Sequence, residues 1–145
     1  MHGPVSSPTS PSSPVSVDQL VAAFLAGTLP REAWTHPAHL FVCHHLLLTA
    51  TPDEALDRLR VLIPAHNERV GLLPGHGGYH ETVTRYFVEA VAAVRPQAIA
   101  ELLAAPATQR GAPLRHWSSA VLGAPEARRA WVEPDRAPLP WASPP

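Results

Sequence analysis

The chain has 145 residues, with eleven basic side chains, all Arg, against twelve acidic ones, for a formal charge of −1 with nine His counted neutral. That length predicts one hydrophobic core, and the balanced charge offers no basic field for nucleic acid or an anionic membrane. Cys43 is the single cysteine, which excludes an intramolecular disulfide and a Cys-rich zinc site.

No apolar stretch approaches the roughly 18 residues that span a bilayer, and residues 1–16 lack the basic start and apolar centre of a secretion signal. The expectation is a cytoplasmic protein, and the Lys-free, Ala-, Pro- and Arg-rich composition reads as bacterial coding. Nine His are the feature that bears on chemistry, because neutral imidazole is both a metal ligand and the usual proton shuttle near pH 7.

Residues 1–16 carry six Ser and four Pro and read as a disordered tail. Ser16-Val17-Asp18-Gln19 forms a capping box ahead of Leu20, Val21, Phe24 and Leu25, which predicts a helix over 17–26 stopped by Gly27. His36-Pro37-Ala38-His39 leads into an unbroken apolar run and predicts a second helix over 37–49, with His36 as its cap and Pro37 at its first position. Thr51-Pro52-Asp53-Glu54 starts a third, reaching Val70, kinked at Pro64 and ended by Gly71.

The segment Gly71–Gly78 holds four glycines and two leucines, a composition suited to a mobile flap over a pocket. Val83, Phe87, Val91 and Val94 then share one stripe of a fourth helix over 79–94. A fifth is expected from Pro96 through Leu103, with short closing helices at 118–122 and 125–132. Residues 134–145, with five Pro, read as an extended tail with Trp141 docked. No period-2 alternation appears, so the class is all-α: a single compact bundle of about five main helices, over residues 17–133, with short closing helices.

His36 and His39 flank one predicted helix start and His80 opens another, where the dipole disfavours imidazolium. Three neutral imidazoles brought together would make a three-ligand face for a divalent transition metal, with iron, copper or zinc suited to such ligands. Glu81 is a candidate ligand, orienting group or general base, and Tyr79 a candidate catalytic neighbour. A helix-surface pair with Arg85 is the plainer explanation of Glu81. Asn67 and Arg85 are candidates for the substrate side of the pocket. Cys43, His44 and His45 read as core or solvated residues.

The segments Leu29-Pro30-Arg31-Glu32-Ala33-Trp34-Thr35-His36-Pro37-Ala38-His39-Leu40, Asn67, Gly71, Gly78-Tyr79-His80-Glu81-Thr82 and Trp131-Val132-Glu133-Pro134-Asp135 together resemble a family of small, mostly uncharacterised bacterial all-helical proteins. The resemblance spans about residues 20–139 and implies a compact helical protein whose motif polar residues include His36, His39, Asn67, Tyr79, His80 and Glu81. It supplies no reaction. Pro64, His66 and the Ser/Pro start depart from the family pattern.

The functional expectation is a metal-dependent enzyme acting on a small molecule, with oxidation slightly favoured over hydrolysis. The alternatives are a metal-free module binding a small ligand or anion, and a metal-free His/Glu acid-base enzyme. A monomer or homodimer is expected.

Overall fold

The computed structural model describes residues 16–72 and 78–142. The expected disorder of residues 1–15 and the centre of the expected flap, residues 73–77, lie outside the described residues. The fold is all-α, built from seven helices and three 3-10 turns, with no strand among the described residues: α1 Val17–Ala26, α2 His36–Leu47, α3 Pro52–Arg69, α4 Glu81–Val94, α5 Ile99–Ala104, α6 Ser119–Gly123 and α7 Pro125–Arg129. No helix among the described residues is long and apolar enough to cross a membrane.

Helix starts follow capping chemistry. Ser16 and Thr51 accept from the third backbone N–H of α1 and α3, and Gln19 and Glu54 reach back, completing two capping boxes. Gly27 and Gly71 take left-handed φ of 80° and 82°, which glycine adopts without steric cost and which stops α1 and the chain after α3.

Three predicted boundaries shift for physical reasons. Thr35 is the cap of α2, its hydroxyl accepting from Ala38 N–H, so His36 is the first helical residue and Pro37 the second. Pro is tolerated there because the second N–H of a helix has no partner in any case. The fourth helix begins at Glu81, with His80 as its cap. The fifth begins at Ile99, because the Glu101 carboxylate accepts from Gln97 and Ala98 N–H and closes the helix start there.

α3 runs on through Pro64. Pro64 and Arg60, the residue whose carbonyl loses its donor, are both exposed, so water can replace the missing bond.

α4 is the hub, packing against α2, α3, α7 and the 3-10 turn Pro106–Thr108. It contributes Tyr86, Phe87, Val88, Ala90 and Val91 to the core. The C-terminal segment is clasped to this hub. Fully buried Trp117 donates through Nε1 to Val132 O, Thr82 Oγ1 donates to Ala130 O, and Trp141 docks with its Nε1 on Glu89 Oε1 at 2.9 Å.

Candidate functional site

Trp34 lies at the end of the 3-10 turn Arg31–Ala33 and stacks between two rings, Phe24 of α1 at 4.2 Å and His39 of α2 at 3.7 Å between centroids. His39 Nδ1–H donates to Thr35 O at 2.7 Å, a bond that fixes the tautomer and leaves Nε2 as an acceptor without a partner among the described residues. Burial, with smaller contributions from the neighbouring His36 and His66 rings, lowers the His39 pKa to about 4 despite the Thr35 bond. The ring is therefore neutral at pH 7.

His39 faces a cavity of about 430 Å³ whose other walls include Trp34, His36, Ile63, Phe87 and Arg110. The volume falls within the usual range for small-molecule sites. Leu59 and Cys43 add further wall, so Cys43 is a core residue that also borders the cavity. Burial pushes its thiol pKa up to about 12, which removes it as a nucleophile near neutrality. His36 turns its Nε2–H to Thr108 O at 2.8 Å and its ring edge to Phe87, tying the start of α2 to the turn after α5.

His80 is placed differently. Its Nδ1 accepts from Val83 N–H at 3.2 Å and its Nε2–H donates to Leu122 O at 2.8 Å, so both ring nitrogens are used in capping α4 and anchoring α6. Burial, aided by Arg128, lowers its pKa and keeps it neutral. A metal ligand needs a lone pair that His80 has already given to Val83, so the set His36, His39 and His80 does not fit an ion as folded. No group of three His, Cys, Asp or Glu among the described residues is placed to hold one.

Glu81 is bound along α3 rather than along its own helix. Arg60 donates to both carboxylate oxygens from Nε at 3.1 Å and again from an Nη, while Tyr79 Oη donates to Oε1 at 2.7 Å. Burial opposes ionisation at Glu81, but these bonds outweigh it and hold the carboxyl below its ordinary range. Burial, together with the bond to Glu81, pushes the Tyr79 hydroxyl up. Neither side chain borders the His39 cavity.

The expected Glu81–Arg85 pair gives way to Arg85–Glu89 at 2.7 Å, with the Arg85 guanidinium 4.1 Å from the Trp131 ring centroid. Asn67 borders a different cavity, which it shares with Trp34, His39 and His66.

Comparison of the chain with protein-family models, with curated proteins and with solved structures gives no match. The site is therefore read from its own geometry. Sequence reasoning put Asn67 at the pocket shared by His36 and His39, whereas it borders a different cavity, and it passed over Trp34, Phe87, Thr84 and Arg110, which border the first one. Trp34 carried a signal in its position just before Thr35-His36. Arg110, 71 positions after His39, carried none.

Proposed function

We propose that the chain binds a small, largely apolar molecule bearing one O–H or N–H donor, the donor being received by His39 Nε2. The observation that carries this reading is a neutral imidazole, fixed by Thr35 and stacked on Trp34, that borders a cavity of about 430 Å³ and whose Nε2 has no partner among the described residues. Trp34, Phe87, Leu59 and Ile63 supply the apolar walls for a flat ligand body. Thr84 and Arg110 offer polar contacts at the same cavity.

Binding is favoured over acid-base turnover by the His39 pKa of about 4. A general base works best with a pKa near the operating pH, and a ring some three units below neutrality is a weak proton acceptor. The competing proposal, a metal-dependent enzyme with His36, His39 and His80 as ligands, requires His80 to abandon Val83 and Leu122.

The test titrates phenol and its donor-free isosteres anisole and toluene into the protein, followed by side-chain NMR of His39. Phenol is expected to bind about tenfold more tightly than either, and His39→Leu to erase that difference while leaving toluene unaffected. Equal binding of all three, or phenol affinity unchanged in His39→Leu, defeats the reading. A zinc- or iron-dependent response lost in His80→Ala supports the competing proposal.

A further inference from the structure

Among the described residues that border the His39 cavity there is one arginine, Arg110, and no carboxylate. The walls therefore carry a fixed positive charge with nothing negative to balance it. Arg110 is exposed, and its guanidinium forms no ion pair among the described residues, whereas Arg60 and Arg85 are both paired and Arg115 donates to Pro106 O.

The backbone that carries Arg110 is held on both sides. Two residues earlier, fully buried Thr108 accepts from His36 Nε2–H through its carbonyl and donates its hydroxyl to Leu102 O at 2.6 Å. Tyr86 Oη donates to Ala107 O at 2.9 Å, and Gln109 Nε2 donates to Leu103 O and Ala105 O. Two residues later, buried Ala112 closes the turn with its N–H on Gln109 O at 3.0 Å. Arg110 thus stands at the tip of a turn pinned to α2 through His36 and to α4 through Tyr86, two helices that also wall the cavity. The backbone is fixed and the charge is unused.

A guanidinium fork matches the two oxygens of a carboxylate. Because Arg110 is exposed, a carboxylate paired with it keeps part of its hydration and escapes the cost of burying a charge, while an apolar body occupies the space between Trp34 and Phe87. One guanidinium balances one negative charge, which favours a monoanion over a phosphate dianion. An ammonium would meet no carboxylate here.

We infer that the ligand of the His39 cavity is a small aromatic monocarboxylate whose carboxylate is held by Arg110. With a hydroxyl received by His39, the class is a hydroxy-substituted aromatic acid. The hydroxyl rests on the function proposed above for His39, and the carboxylate rests on Arg110 alone, so the two are tested with separate probes.

The experiment titrates the full chain by calorimetry with benzoate, its neutral isostere benzamide, benzylamine and phenyl phosphate, in low salt and again in about 0.5 M salt. Benzoate is expected to bind about fivefold more tightly than benzamide in low salt, with the difference largely screened in high salt. Arg110→Gln, at an exposed position that leaves the core intact, should erase the difference and leave benzamide and toluene binding unchanged. 3- and 4-hydroxybenzoate should bind more tightly than benzoate, a gain lost in His39→Leu and kept in Arg110→Gln.

Benzoate no tighter than benzamide overturns the inference, as does a preference for benzoate that survives Arg110→Gln. Tighter binding of benzylamine or phenyl phosphate than of benzoate overturns it as well. Phenol favoured over toluene, with benzoate equal to benzamide, defeats this inference and spares the reading of His39. An Arg110-dependent preference for benzoate, with phenol no tighter than toluene, supports the carboxylate site and defeats the reading of His39.

Discussion

Two histidine-bearing regions of this molecule look alike in sequence and differ in how fully their polar atoms are used. At the start of α4, His80 has both nitrogens paired, Glu81 takes hydrogen bonds from Arg60 and Tyr79, and Thr82 bonds the C-terminal segment. Around Trp34, His39 keeps Nε2 without a partner among the described residues and His66 keeps Nδ1 buried and unpaired. Saturation marks the first region as architecture, and the loose ends of the second are what the proposed binding function rests on. Substitutions in the first should therefore cost stability, and those in the second should cost binding.

The largest stability loss is expected at Glu81. Glu81→Ala removes the acceptor shared by Arg60 and Tyr79 and should cost about 2 kcal/mol in urea denaturation. The figure is held down because the Arg60 side chain, 45 % exposed, regains water. Binding of phenol to the His39 cavity should be unchanged. A loss of binding with intact stability would reverse the assignment of the two regions.

pH separates the regions next. Because burial depresses the His39 pKa, the unfolded chain binds more protons than the folded one between about pH 6.5 and 4. Stability is then full above pH 6.5 and falls as the pH drops toward 4, by about 2 kcal/mol after allowance for the partial exposure of the ring. His80, also depressed, adds a loss that begins in the same range. Glu81 contributes in a lower window, its stabilisation being present above the ordinary carboxylate range and lost as the pH falls through its depressed value. His39→Gln should flatten the slope from pH 6.5 to 4 in thermal melts without moving the more acidic loss.

His80→Ala removes a helix cap together with the anchor on Leu122, and about 1–2 kcal/mol is expected from chemical denaturation. The smallest effect falls in the open region. His66→Phe gives up the long 3.3 Å bond from Nε2 to Leu29 O and at the same time removes a buried Nδ1 that has no partner among the described residues, so the two effects oppose and the ligand-free melting midpoint should move little. A loss as large as that at Glu81 would place His66 among the architectural residues.

Much of the fold was legible along the chain because capping is a local code. The Ser16 and Thr51 boxes, Gly27, Gly71 and the apolar stripe of α4 act over three or four residues, the range over which sequence spacing is also spatial spacing. The site was legible in part. His36 and His39, neighbours at one helix start, border one cavity, while Asn67, expected at that same pocket, borders another. Glu81 was misread because its partner, Arg60, lies 21 residues earlier on a different helix, whereas Arg85 was the neighbour visible in sequence.

What the sequence determined by itself is the all-α class, the order of the helices and the place of His39 and His80 at helix starts, each a consequence of capping and periodicity. The neutrality of both rings comes first from burial, which packing decides. What only the tertiary structure decided is which polar atoms remain free. A hydrogen bond from His80 to Leu122 spans 42 residues, one from His36 to Thr108 spans 72, and the His66 ring is enclosed by Phe24, Leu29 and Trp34 from other segments. Whether a donor or acceptor is satisfied depends on what the packed chain brings within about 3 Å of it, and no local spacing encodes that.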